Sequence, residues 1–287
     1  TEKVSREDLY ELSYCYYEAD QYRKAADGFK ELGGKQDTLA QNSMYLLADA
    51  YLKLGNKAGA RNAFLFSSLN SSNKEQKEIS KFNYGKLSFE LGYLDIALSE
   101  LKDYVNKYPK GYYSSEAKEL LVTVMANTNN YDEALALLNS LPAKTEPIRR
   151  AYPRILYGRA VELINDQQVD QADDLLDGIF AADYNTAQLP FANFWKGEIA
   201  FRKNNFDSAI YYLQNYMKAP QTYGEVNPQN ARYTLGYASM RQEDYYHAQQ
   251  YFEQITTSIS PASSPRDVDA YIRTADCYFM QKKMPKA

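Results

Sequence analysis

One histidine, two cysteines and a few paired carboxylates are the residues of this 287-residue chain whose types could carry catalysis or hold a metal. His247 follows Tyr246 with no cysteine, second histidine or carboxylate pair at metal-ligand spacing around it, so it reads as a partly exposed structural residue. Cys15 and Cys277 stand 262 residues apart at equivalent points of a repeating pattern, out of disulfide reach in an extended array, and both read as small core residues. Glu18 with Asp20, Asp132 with Glu133, and Asp173 with Asp174 have the composition of a general acid and base. Each pair falls where a helix opens or is decorated by negative charge that complements its dipole, which is the structural reading. No phosphate-cradling glycine loop, nucleophile elbow or Cys/His pair is present. The chain is therefore read as non-enzymatic, with no cofactor, no metal and no small-molecule substrate.

What remains is an aromatic excess: 28 Tyr and 12 Phe against one Trp. Tyrosine offers a large rigid contact surface with a polar tip at low entropic cost, the profile of a protein-contacting residue. Other partners are disfavoured. Net charge is −4, with Lys and Arg scattered along the chain, so there is no electrostatic footprint for nucleic acid. No apolar run approaches the roughly 18 to 20 residues of a membrane span, and no basic-then-apolar signal opens the chain.

The elements that must position these side chains show first in alanine. Ala25, Ala60, Ala97, Ala134, Ala172, Ala209, Ala248 and Ala287 recur at intervals of 35, 37, 37, 38, 37, 39 and 39 residues. If each is position 20 of a unit, units begin near residues 6, 41, 78, 115, 153, 190, 229 and 268. Position 8 is then small at Ser13, Ala48, Gly85, Ala160, Gly197, Gly236 and Ala275, with Val122 the departure. Position 24 is a large apolar knob at Phe29, Phe64, Leu101, Leu138, Leu176, Leu213 and Phe252. Position 17 reads Tyr22, Lys57, Leu94, Tyr131, Val169, Phe206, Tyr245 and Met284, and closing prolines stand at Pro109, Pro142, Pro220 and Pro261.

This pattern resembles the tetratricopeptide repeat, a pair of antiparallel helices with a 34-residue basic unit. The resemblance implies an all-α, right-handed superhelical solenoid of about seven and a half repeats in one continuous array over residues 1–287. The last repeat is truncated, and the chain is expected to be a fragment of a longer protein. Alanine at position 20 and the small residues at position 8, Gly85, Gly197 and Gly236 among them, set the helix crossing distance. The knob at position 24 is expected between neighbouring repeats. Spacings longer than 34 imply extended second helices or longer loops between repeats.

In proteins of this fold positions 2, 5, 9, 12 and 13 of each first helix line the concave face. Transferred here, they give Tyr10, Tyr14, Tyr17, Tyr45, Phe82, Tyr157, Phe191, Phe194, Tyr233 and Tyr237 as partner-binding residues, with Phe89, Phe201 and Phe279 further along the same face. Position 12 is open between exposure and core, whereas positions 5 and 9 are expected to be exposed. The Lys and Asn of the chaperone-tail clamp are replaced by Tyr10, Tyr14 and Leu46, which excludes that activity. The stretch Leu101 to Tyr113, running on to Ala117, resembles the junction of bacterial envelope repeat proteins. The implied function is a scaffold that binds a protein or peptide in a bacterial cell-envelope complex, periplasmic or outer-membrane-associated. Alternatives are a cytoplasmic regulatory adaptor and a self-associating architectural arm.

Overall fold

The computed structural model describes residues 4–283, so Met284 and Ala287 lie outside the described residues. Within these are fifteen helices and no strand. In chain order they form seven pairs and a single helix: Arg6–Glu18 (α1) with Tyr22–Glu31 (α2), Thr38–Lys53 (α3) with Lys57–Leu69 (α4), Lys74–Glu90 (α5) with Leu94–Lys107 (α6), Ser114–Asn127 (α7) with Tyr131–Asn139 (α8), Glu146–Asn165 (α9) with Val169–Ala181 (α10), Leu189–Arg202 (α11) with Phe206–Lys218 (α12), Pro228–Arg241 (α13) with Tyr245–Glu253 (α14), then Pro265–Met280 (α15). The chain groups into two compact units, Thr1–Ile148 and Arg149–Ala287, with the boundary inside α9.

Every position-17 residue among the described residues, Lys57 included, is the first residue of its second helix. The reason is a three-residue turn common to all seven pairs. Its middle residue is left-handed: Asp20, Gly55, Gly92, Asn129, Gln167, Asn204 and Glu243 have φ between 56° and 82°, and Lys282 after α15 repeats this at 60°. In six of the seven turns, the one at Asn129 excepted, the middle N–H bonds to the carbonyl three residues back and the next N–H to the carbonyl five back, as in Asp20 to Tyr17 and Gln21 to Tyr16. This double bond pattern satisfies the helix's last carbonyls. Only two turns use the glycine that suits the conformation without strain.

Packing explains the small residues. All seven described position-20 alanines are fully buried, and so are Ser13, Gly85, Val122, Gly197 and Gly236 at position 8. Ala275 is half-buried, since no second helix of its unit is among the described residues. A Cβ on Gly85 would lie 3.1 Å from Leu101 Cγ, one on Gly197 2.4 Å from Leu213 Cγ, and one on Gly236 2.6 Å from Phe252 Cζ. Each of those neighbours is the position-24 knob of the same pair. The knob therefore seats in its own hairpin, which corrects the expectation that it lies between repeats. It points across the pair because α-helical side chains at 8 and 24 face one another once the turn is fixed at three residues.

The added spacing falls partly in the loops between pairs, as expected, and partly in the first helices. First helices start early, α3, α5 and α9 opening 3, 4 and 7 residues ahead of position 1, and loops between pairs take up the rest. One such loop is held by Gln41, buried, whose Nε2 donates to the carbonyls of Ser67, Asn70 and Asn73 at 3.2, 3.1 and 2.9 Å while its Oε1 accepts from Asn73 N. Cys277 is buried, but Cys15 is exposed. It sits on the face of α1 that in α3 holds fully buried Ala50, and no helix among the described residues covers that face of α1.

Two substitutions read these constraints in opposite directions. Gly197→Ala gains about 1 kcal/mol of helix propensity but drives a methyl into Leu213 and within 3.3 Å of the Ala209 carbonyl, an overpacking cost of about 1–3 kcal/mol. A net loss of about 1 kcal/mol in urea unfolding is expected. Glu243→Gly removes a side chain from a left-handed position and should stabilise by about 1 kcal/mol, seen as a higher urea midpoint.

Candidate functional site on the first-helix face

In the first pair, Tyr10, Tyr14 and Tyr17 form a ladder along α1. Ring centroids are 6.3 Å apart for Tyr10 and Tyr14 and 6.4 Å for Tyr14 and Tyr17, with planes within 22°. Behind them Tyr10 and Tyr17 lean on the knob Phe29 at 5.9 and 6.4 Å, and Tyr45 leans likewise on Phe64 at 6.1 Å. The Tyr17 hydroxyl donates to Asp49, which ties α1 to α3. Burial, then that carboxylate, pushes the phenol well above its ordinary range. Tyr14, at position 9, is the exposed member at 41%. Tyr10, Tyr17 and Tyr45 are half-buried.

Two expectations for position 5 are corrected. Phe82 and Phe194 are 1% and 2% exposed and meet no partner in this conformation. In both pairs the knob is Leu, smaller than the Phe of pairs one, two and seven, and position 27 is a fully buried tyrosine, Tyr104 or Tyr216. The position-5 ring fills the freed space and is covered from the far side. Phe82 lies 5.6 Å from Tyr104 and stacks on Tyr113 at 4.4 Å and 7°, while Phe194 lies 5.4 Å from Tyr216. Tyr104 in turn bonds Glu78 at 3.0 Å and accepts from Tyr113 N, and Tyr216 donates to the Gln221 carbonyl at 2.6 Å. The Leu101–Ala117 junction is thus a brace for the loop between pairs.

In the second unit, Tyr157 packs against Phe191 at 5.4 Å, both half-buried. A cavity of about 510 Å³ opens between α9, α11, α13 and the start of α15. Tyr233 and Tyr237, half-buried and braced on Phe252 at 6.2 and 5.4 Å, stand at its wall. Both hydroxyls donate to Asp269 Oδ2, Tyr233 at 2.8 Å, and Arg273 Nε reaches Oδ1 at 3.3 Å. Burial opposes ionisation of Asp269, but these bonds outweigh it and hold the carboxyl below the usual carboxylate range.

Of the residues lining this cavity the sequence pattern singles out only Phe194, Phe201, Tyr233 and Tyr237; Trp195, Glu198, Arg202 and Arg266 are among those it does not. Glu198 is position 9 and Arg202 position 13 of the sixth unit, so the spacing rule places both on the face, but only aromatic residues were sought there. Glu198 is largely buried, which raises its carboxyl pKa against the opposing pull of Thr234, Arg202 and Arg266. Its Oε1 and the Trp195 Nε1 are both buried with no hydrogen-bond partner.

Two of the residues first considered for chemistry, His247 and Asp173, have structural partners. His247 Nδ1 lies 2.6 Å from Asp244, the residue that caps α14. Asp173 pairs with Lys196 at 2.7 Å and Lys203 at 3.0 Å, which ties α10 to α11, and although burial opposes it, those cations hold its carboxyl below the usual range. Among the described residues no group of His, Cys, Asp or Glu is placed to hold a metal ion, and no helix is long and apolar enough to cross a membrane.

Residues 42–65, spanning α3 and α4, match the family model of the tetratricopeptide repeat. No curated protein matches the chain. Among solved structures, a tetratricopeptide repeat protein from Parabacteroides merdae is 14% identical over 94% of this chain and 98% of its own, with a TM-score of 0.43. The C-terminal part of a repeat-containing protein from Cytophaga hutchinsonii is 14% identical over 91% and 98%, at 0.46. The TPR2AB domain of yeast Sti1, in its pHSP90 complex, is 11% identical over 98% and 97%, at 0.38.

Glu198 gives the site a pH signature. Its folded-state pKa is raised, so it costs nothing at low pH, where it is protonated in both states, and the cost grows as pH rises above the unfolded value of about 4.3. Glu198→Gln should therefore raise the urea midpoint at about pH 7, by about 1 kcal/mol, and by less near pH 4. A gain that is equal at both pH values, or absent at the higher one, contradicts the burial of this carboxyl.

Proposed function

We propose that this chain, an array of tetratricopeptide repeats, is a protein-binding scaffold whose first-helix face takes an extended peptide or a helix of a partner protein. The observation that carries the reading is the bracing of the aromatic rings within each unit. Tyr10, Tyr17, Tyr45, Tyr233 and Tyr237 present half-buried rings held from behind by Phe29, Phe64 or Phe252. Rings fixed before binding lose little freedom on contact, and such preorganised tyrosines are the typical anchors of protein interfaces. Tyr14, exposed between two stacked neighbours, is the best placed to meet a partner first. No step of this function requires a reacting group. The Leu101–Ala117 junction supports a place in a bacterial cell-envelope complex, periplasmic or outer-membrane-associated.

Photo-crosslinking distinguishes the faces. With p-benzoylphenylalanine at position 14, a discrete adduct with one partner protein is expected in the envelope fraction. The same group at Tyr211, 62% exposed on second helix α12, should give none. Adducts from position 211 alone, adducts of the chain with itself, or recovery from the cytosol only would each overturn the proposal. Tyr14→Ala should weaken the identified partner by about 2 kcal/mol.

A further inference from the structure

The cavity between α11 and α13 has an unusual polar inventory. One side of its rim is self-satisfied: Asn230 Nδ2 donates to the Glu225 carbonyl at 2.7 Å and to Glu225 Oε2 at 3.1 Å, and Arg266 bonds Asn230 while its guanidinium lies 5.5 Å over the Tyr233 ring. The tyrosine hydroxyls are spent on Asp269. Two buried atoms are left over, and they are complementary in kind: Trp195 Nε1–H can only donate, and Glu198 Oε1 is an acceptor. They stand three residues apart on α11, so they share one face of that helix. Both residues line the cavity.

The chemistry of an occupant follows from what each class would leave unmet. An ammonium or guanidinium group satisfies Glu198 but brings no acceptor for the indole, and it enters beside Arg202 and Arg266. A carboxylate satisfies the indole but faces Glu198. One trans backbone amide directs its N–H and C=O in opposite directions, so it cannot serve both groups from one side. A primary carboxamide carries acceptor and donor as separate atoms on one edge, without net charge. We infer that this cavity is a subsite for the side-chain carboxamide of a glutamine or asparagine on a partner protein, its C=O accepting from Trp195 Nε1 and its N–H₂ donating to Glu198. The inference deepens the scaffold reading and rests on it. A cavity of about 510 Å³ has room for the side chain and its neighbours.

The chain's single tryptophan makes the test direct, because the indole N–H gives one cross-peak in a ¹H–¹⁵N spectrum. The probes are acetyl-Gly-X-Gly peptides capped as N-methylamides, with X as Gln, Glu, Lys or Met, and methyl glucoside for a hydroxyl ligand. The Gln peptide should shift the indole peak downfield and saturably, with an affinity at least about tenfold above the others. Glu198→Met should abolish that response while the backbone peaks stay dispersed; if this variant does not fold, the peptide comparison on the unaltered chain decides alone. A silent indole, an equal response to the Met peptide, or preference for Lys, Glu or the glucoside overturns the subsite. A silent indole beside a discrete adduct from position 14 removes the subsite and leaves the scaffold. A Gln-specific response without that adduct removes the scaffold's aromatic face.

Discussion

Two antiparallel helices close only as far as their bulkiest facing residues permit, and here the limiting contact is a large side chain at position 24 seated over a small one at position 8. Leu213 over Gly197 and Phe252 over Gly236 leave no space for even a methyl group. The contact fixes interhelix distance, and the three-residue left-handed turn fixes the phase of the second helix against the first. With both set, the alanine at position 20 must be buried and the first-helix face must point away from the pair. The outward-leaning aromatic rings of each pair are a product of that closure.

The same contact decides which aromatics remain available. A Phe knob fills its hairpin and leaves the position-5 tyrosine leaning outward on it, as at Tyr10, Tyr45 and Tyr233. A Leu knob leaves a gap, and the position-5 Phe drops in beneath a tyrosine from the end of the second helix, as at Phe82 and Phe194. The exchange takes a Leu knob and a position-27 tyrosine together, since Tyr157 stays half-buried in a pair whose knob is Leu176 and whose position 27 is Ile179.

Fold and hairpin boundaries were legible because they are written in short-range pattern: alanine at 20, a small residue at 8, and position 17 at each second-helix start. What was not legible depends on neighbours that spacing does not encode. Cys15 matches Cys277 in position yet is exposed, since burial there needs a preceding pair. The fate of Phe82 turns on Leu101 and Tyr104 jointly. Glu198 and Trp195 were missed because the face was searched for aromatics at fixed positions, whereas their significance lies in hydrogen bonds they fail to make. Reading positions 9 and 13 without regard to residue type would have brought Glu198 and Arg202 into view.

The hairpin turns hold their shape with Asp, Gly, Asn, Gln and Glu alike at the left-handed position, so most of their geometry resides in main-chain bonding that a side-chain change does not touch. Length is another matter. A residue inserted in such a turn would rotate the second helix by about 100° and carry its knob off the hole it fills, while the same insertion in the loop that joins one pair to the next leaves both hairpins whole. Lineages of such chains can therefore diverge freely in turn composition and in the seams between pairs, but the count of residues inside each bend is locked.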